Sequence, residues 1–205
     1  MALYEIQRAR QLKVAALLTT VTRDYDRVSM HGVRRVLLER QAAALNLPLH
    51  QIQISKGASN EEYETKFGEA VAHYRSEGVT SVIFGDLFLE DIRAYREQLL
   101  ARMGMRPLFP VWGRDTTEFI RTFIGLGFKA VVTCVNADAL DRSFAGRMID
   151  ENFLASLPEG VDPCGENGEF HSFVFGGPGF EEEIRFRAGE VVLREGHYFC
   201  DLVPE

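Results

Sequence analysis

The chain has 205 residues, 46% apolar and 26% charged, with a formal net charge of -7, which is enough for one sizeable core or two small domains sharing an interface. The acidic balance, with a pI near 5.3, argues against a nucleic-acid-binding protein, which needs a basic footprint to displace counterions. No stretch approaches the roughly 20 apolar residues of a membrane span, and the N-terminus has no signal-peptide core. Three cysteines without CxxC spacing, Cys134, Cys164 and Cys200, fit a reducing compartment, so the expected location is cytoplasmic.

In chain order, residues 2–11 read as a helix, and residues 13–20 (KVAALLTT) as a strand covered on both faces, as in a parallel sheet. Ser29 is placed to cap a helix running to Leu45 through Met30, Val33, Leu37 and Ala44, ended by Asn46 and Pro48. A short strand over Leu49–Ile54 precedes the clearest helix, residues 61–76, with Tyr63, Phe67, Ala70, Val71 and Tyr74 on one face. Residues 81–85 (SVIFG) form another buried strand, followed by Asp86 and a helix over 89–103. This alternation predicts a three-layer α/β domain with a parallel sheet. Ligands of such sheets bind beyond the carboxyl ends of the strands, which makes Thr19, Thr20 and Asp86 ligand candidates by position. Each is equally readable as a cap or turn residue.

Near Pro107 the pattern changes. Residues 108–112 (LFPVW) read as a strand, 116–126 as a helix through Phe119, Ile120 and Phe123, and 129–135 as a strand. Short helical pieces follow over 138–157, then strands at 170–175, 184–186 and 191–199. This half reads as a smaller α+β domain, giving a division into residues 1–105 and 106–205.

Between the short helices and the later strands lies VDPCGENGEFHSFVF, residues 161–175. It sets two carboxylates, Glu166 and Glu169, and the imidazole of His171 among Gly165, Asn167 and Gly168, and then enters an apolar strand. Glycines let backbone approach a ligand closely, and the strand fixes what the loop presents. If residues 169–173 are extended, Glu169 and His171 point to one side about 7 Å apart. A Gly-rich turn with solvated acids is the alternative reading. Cys164 beside the loop reads either as a reactive thiol or as packing, and nothing nearby is basic enough to favour a thiolate.

Five ordered blocks resemble one family: SMHGVRR with QAAALNLPL (29–49), GDLFLEDIR (85–93), PVWGRDTTEFIRTFIGLGFKAVV (110–132), FAGRMIDENFL (144–154) and CGENGEFHSFVF (164–175). The family is that of the diphthine ammonia ligases, a branch of the N-type ATP pyrophosphatases in the adenine nucleotide alpha hydrolase superfamily. The resemblance implies a HUP-like parallel-sheet domain and an ATP-dependent amide ligase: a carboxylate is adenylated with release of pyrophosphate, and ammonia then displaces AMP. It implies ATP and Mg2+ as cofactors, with no metal ligand identifiable, and a small-molecule or protein carboxylate acceptor plus ammonia as partners. No nucleic acid or membrane partner is implied, and a homo-oligomer is compatible with it. Such enzymes open with a strand and an SGGKDS phosphate-binding loop, the PP-loop, which this sequence does not contain. The expectation is therefore a sheet whose first central strand, roughly the first twenty residues of a typical relative with its turn, is missing. That leaves a gap between the strands at 13–20 and 81–85, and lower stability or self-association.

Carried over by the resemblance, Leu18, Thr19, His31, Gly85 and Asp86 face the nucleotide, although a lone His31 at a helix start also reads as a cap or packing residue. Glu166, Glu169 and His171 are the catalytic candidates. Asn167, Gly168, Ser172, Trp112, Asp115, Gly146 and Arg147 are placed on the acceptor side, with Glu62 and Tyr63 as further binding candidates. Trp112 stacks on a cation or anchors a core, and Arg147 clamps an anion or braces Asp150. A competing reading is a degenerate, non-catalytic nucleotide- or metabolite-binding module. A transfer-RNA thiolase is disfavoured by the acidic balance and the lack of paired cysteines.

Overall fold

The computed structural model describes all residues, Met1–Glu205, and is a mixed α/β structure with parallel strand pairs and a separate antiparallel sheet. The chain divides into two compact units: Met1–Tyr25 with Pro48–Arg114, and Asp26–Leu47 with Asp115–Glu205. Residues 26–47, assigned from sequence to the first domain, pack in the second unit. No helix is long and apolar enough to cross a membrane.

The first unit begins with α1 (Ala2–Ala9), which ends where Arg10 turns left-handed. Strand β1 (Leu17–Thr22) pairs in parallel with β3 (Leu49–Ile54), from Leu17 opposite Leu49 to Thr22 opposite Ile54. The apolar run from Lys13 therefore becomes a strand only where its six-residue partner begins. Helix α3 (Asn60–Ser76) is capped by the Ser59 hydroxyl, which accepts the Glu62 N–H, an arrangement that satisfies one orphan donor of the first turn. Strand β4 (Ser81–Ile83) pairs in parallel with β5 (Arg106–Leu108), and α4 (Glu90–Arg102) joins them.

The expected strand at 108–112 is displaced, because pairing with β4 stops at Leu108 and the chain turns at once, Trp112 N–H donating to Phe109 O. Ile52, Phe67, Ala70, Val71, Leu99, Leu100 and Met105 form the core, with Leu18 and Val82 packed against it. Both strand pairs thus lie on one layer made by α3 and α4, yet β1–β3 and β4–β5 remain separate sheets. The strands expected to be covered on both faces are correspondingly only half-buried over most of their length.

In the second unit β2 (Arg27–Val28) opens a tight turn in which Val28 N–H donates to Val33 O. Met30 and Gly32 have φ of 64° and 69°, so Ser29 does not cap a helix; α2 (Arg35–Ala44) starts only after the turn. A Cβ on Gly32 would meet a Phe199 ring carbon at 2.7 Å, so the turn needs glycine for space as well as conformation.

Helices α5 (Thr116–Gly125) and α6 (Glu151–Ala155) are capped by Asp115 and Asp150, and a 3-10 turn spans Arg142–Phe144. Four antiparallel strands run in the order β7 (Phe170–Gly176), β6 (Lys129–Asn136), β9 (His197–Pro204) and β8 (Phe186–Arg194). The single strand expected at 191–199 is instead a hairpin. Glu195 and Gly196, at φ 49° and 78°, form a two-residue reversal that suits strand twist, and the chain doubles back as β9.

Asp201 on β9 ties residues 26–47 to this sheet. Arg34 donates to both its oxygens at 3.0 and 2.7 Å, and Arg27 donates to one at 2.9 Å. Arg34 foremost, then Arg27, holds the Asp201 carboxyl down to about 2. Its contribution to stability should therefore be complete above the ordinary carboxyl pKa near 4 and lost as pH falls through about 2. Asp201→Asn should cost about 1–2 kcal/mol in urea unfolding at pH 7, and the difference from wild type should shrink steadily below pH 4.

Candidate functional site

The acidic loop is built around two buried carboxylates. Glu169 is 8% exposed and Asp162 9%. Asp162 Oδ2 accepts the N–H groups of Cys164 and Glu166 at 3.1 and 2.9 Å. Glu169 Oε1 accepts the Asp162 N–H at 2.9 Å and the Asn167 side-chain amide at 3.1 Å, while the buried Oε2 has no hydrogen-bond partner. Gly165 turns at φ 69°, where a Cβ would lie 2.7 Å from Phe170 O; Gly168 follows at φ 86°. The Glu169 carbonyl accepts the Asn136 N–H at 2.9 Å, carrying the sheet up to the loop. The loop is therefore an ordered structure, not a solvated turn, although Asn167 itself is exposed.

The Cys164 thiol donates to Thr116 O at 3.3 Å, at the start of α5. Burial first, then the negative charges of Asp162, Glu166 and Asp115, pushes this thiol up to about 12. A thiol so raised is no nucleophile at neutral pH. Asp115 also accepts the Glu118 N–H as the cap of α5.

On β7, the His171 ring lies 4.7 Å from that of His31, centroid to centroid. His31 Nδ1 is 3.3 Å from Ser172 O. Burial lowers the His171 pKa to about 4, with His31 and His197 adding repulsion, and burial lowers that of His31 as well. Both rings are accordingly neutral at pH 7. His31, placed with the nucleotide residues by resemblance, meets acceptor-side residues here. Gly146, at φ 90°, backs onto Cys200. Arg147 lies 5.0 Å over the Phe144 ring and 5.6 Å from that of Phe153, and donates to Asn152 O at 3.3 Å; its guanidinium has no carboxylate partner in the structure.

In the first unit Leu18 and Thr19 lie half-buried on β1. Gly85 and Asp86 follow β4, and Asp86 is committed to Arg96: one nitrogen donates to Oδ1 at 3.0 Å and Nε sits 3.0 Å from Oδ2. Arg96 also lies 4.3 Å over the Phe84 ring. The Trp112 ring is taken by the protein's own Arg93, whose guanidinium lies 4.7 Å from its centroid and 5.1 Å from that of Phe109. Glu62 Oε1 accepts the Ser55 N–H at 2.8 Å. Tyr63 stacks on Phe67 against the core, where burial pushes its phenol up.

Sequence reasoning missed Asp162, Asp201, Arg93 and Arg96. Only Asp162 carried a signal, an Asp opening a Pro- and Gly-containing turn, where such side chains bond backbone a few residues on.

Residues 115–203 match the Diphthamide synthase C-terminal domain family model. A diphthine–ammonia ligase of Danio rerio is 30% identical over 175 residues, covering 78% of this chain and 68% of that protein. The chain belongs to the diphthine–ammonia ligase family. The Homo sapiens diphthine–ammonia ligase is 25% identical over 191 residues, covering 86% of this chain and 70% of its own length. That of Schizosaccharomyces pombe is 24% identical over 194 residues, 87% of this chain and 32% of the fission-yeast protein. The family-model match contains the whole acidic loop, both of its buried carboxylates, and His171.

Because the folded His171 pKa lies near 4 against 6.5, the unfolded chain binds the extra proton first as pH drops. Stability is then full above about 6.5 and falls on acidification towards 4. We expect a loss of about 2–3 kcal/mol across that window in urea unfolding curves, flattened by His171→Asn.

Proposed function

We propose that the chain serves an ATP-dependent amide ligase reaction, with the second unit supplying the acceptor and ammonia side. In the first step a carboxylate oxygen attacks the α-phosphorus of ATP, and pyrophosphate leaves. In the second, ammonia attacks the acyl carbon of the adenylate; a C–N bond forms, the bond to the AMP oxygen breaks, and one proton is released. The observation that carries the reading is the ordered loop 162–169 with Glu169 buried, inside the region matching the diphthamide synthase C-terminal model.

Each residue has a part the geometry supports. Glu166 and Glu169 are the groups able to accept the released proton, since neutral His171 is too weak a base at pH 7. Asn167 and Asp162 hold Glu169 in place, and Ser172 O orients His31. Arg147, free of a carboxylate partner, is available for an anionic group of the acceptor. The acceptor is a carboxylate; the relatives are named for diphthine, and nothing in the loop selects that compound over another. On the nucleotide side, Gly85 follows the carboxyl end of β4, whereas Leu18 and Thr19 lie near the start of β1 and not at its carboxyl end at Thr22, and Asp86 acts through Arg96 as a brace. No three His, Cys, Asp or Glu side chains converge to hold a metal ion, so no step is routed through magnesium.

A second reading, a binding module without catalysis, is favoured by the nucleotide-side candidate Asp86 being committed to the protein's own Arg96. Exchange of labelled pyrophosphate into ATP, measured with a panel of carboxylates, separates the two. It should be run on this chain and on the chain joined to a glycine-rich phosphate-binding segment. The ligase reading expects carboxylate-dependent exchange roughly tenfold or more above the bare chain in the joined protein. No exchange there with any carboxylate would leave the binding module.

A further inference from the structure

We propose that residues 29–31, the tip of the turn entered from β2, form an acid-released latch on β7, shut by the contact between the His31 and His171 rings. The latch is a regulatory device and does not rest on the ligase reading. Its two ends are clamped by one carboxylate, since Arg27 and Arg34 both donate to Asp201 on β9. Gly32 is held as well, its carbonyl accepting from Arg27 at 2.8 Å and its Cα backed by the Phe199 ring. Three residues are left in between, and they are strained. The His31 N–H donates to Ser29 O at 2.8 Å across Met30, whose φ is 64°; a three-residue turn with positive central φ is rare and costly for a residue with a side chain. The Met30 side chain is 66% exposed and returns little packing for that cost. The side chain that seats the tip on β7 is His31, its ring 4.7 Å from that of His171 and its Nδ1 3.3 Å from Ser172 O.

That seat holds while both imidazoles are neutral. A proton on one ring puts a charge into a half-buried contact, and a proton on the second adds direct repulsion. The groups packed around the pair give little relief. Ser172 O favours a proton on His31, but burial outweighs it. On β9, His197 repels a charged His171, and the Asp201 carboxylate is spent on the two arginines and stays ionised down to about pH 2. On β6, the Thr133 hydroxyl donates to the His171 carbonyl, and Cys134, opposite His171, carries a thiol pushed up to about 12 and therefore uncharged. No carboxylate acts on either ring. The histidine contact consequently fails at a pH where the clamp is intact. Acidification then frees the tip while the rest of the 26–47 stretch stays docked, and release uncovers His171 and Ser172, where β7 leaves the acidic loop.

The test is amide hydrogen exchange of the full chain, followed residue by residue by NMR and expressed as protection factors. An imidazole that returns on opening to its ordinary pKa of about 6.5 takes up a proton, so protection of the His31 and Gly32 amides should fall by about tenfold or more between pH 7 and pH 5. Dilute urea should leave their exchange unchanged, because the opening exposes little surface. The Val28 amide, which donates to Val33 O at the clamped base, and those of β6 should be better protected than the tip at both pH values. His31→Phe, which keeps a ring in the seat without a charge, should shrink the pH effect roughly threefold or more, and adding His171→Phe should abolish it. Should the double variant fail to fold, the single variant and the urea dependence of the wild type still decide. Tip amides as protected as those of β6 and as sensitive to urea would mean that only global unfolding exposes them. An undiminished pH effect in His31→Phe would mean that another group drives the opening, and either result overturns the proposal. Since the assay contains neither ATP nor a carboxylate acceptor, its failure is separable from failure of the pyrophosphate exchange.

Discussion

A carboxylate that accepts backbone N–H groups governs the shape of the acidic loop. Asp162 gathers the N–H groups of Cys164 and Glu166, and Glu169 gathers that of Asp162. The two acids are stacked in dependence: Glu169 fixes the residue whose own side chain fixes the turn. Charge-assisted bonds of this kind are about twice as strong as neutral ones, and here they are buried, where a missing partner is expensive. The shape of the loop therefore follows from side-chain carboxyl oxygens that accept backbone N–H groups, and the glycines at 165 and 168 supply the backbone conformations that the bonds require.

The second unit is completed by a stretch that interrupts the first. Residues 26–47 join the antiparallel sheet through Asp201 with Arg27 and Arg34, through Gln41 donating to Val174 O at 2.6 Å, and through His31 beside His171. Gly32 lets the turn close against Phe199. The consequence for the site is that His31 and His171 share one environment. Protonating either ring penalises the other, so the pair resists charging over the range in which a free histidine titrates.

The elements legible in the sequence were those whose signal is local. The apolar stripe of α3, the helix α5 and the run of β6 all fall within a few residues of where the sequence pattern places them, whereas Asp115, placed on the acceptor side, caps α5. The parts that were not legible depend on distant partners. Arg34 and Asp201 lie 167 positions apart and Arg27 and Asp201 174, so neither pair leaves a trace in spacing. The hairpin at Glu195-Gly196 was hidden because glutamate is an uncommon residue at positive φ, and the turn at Met30 conceals itself in the same way. In the site the loop itself was legible, and so were its acids. Which acid is buried, and the role of Asp162, were not, because burial is decided by what packs over the turn.

The nearby functional groups narrow the chemistry further than their identities suggest. A cysteine, a histidine pair and several carboxylates share this region, and taken by type any of them is a nucleophile or base. Burial pushes the Cys164 thiol to about 12 and brings His171 to about 4, which removes thiolate attack and leaves the imidazole a weak proton acceptor at neutral pH. In the proposed amide-forming step, proton transfer then falls to carboxylate. Among the carboxylates, Asp162 spends an oxygen on two backbone donors and Asp115 caps a helix. Glu169 is the buried acid whose one oxygen accepts from Asp162 and Asn167 while the other is buried without a hydrogen-bond partner.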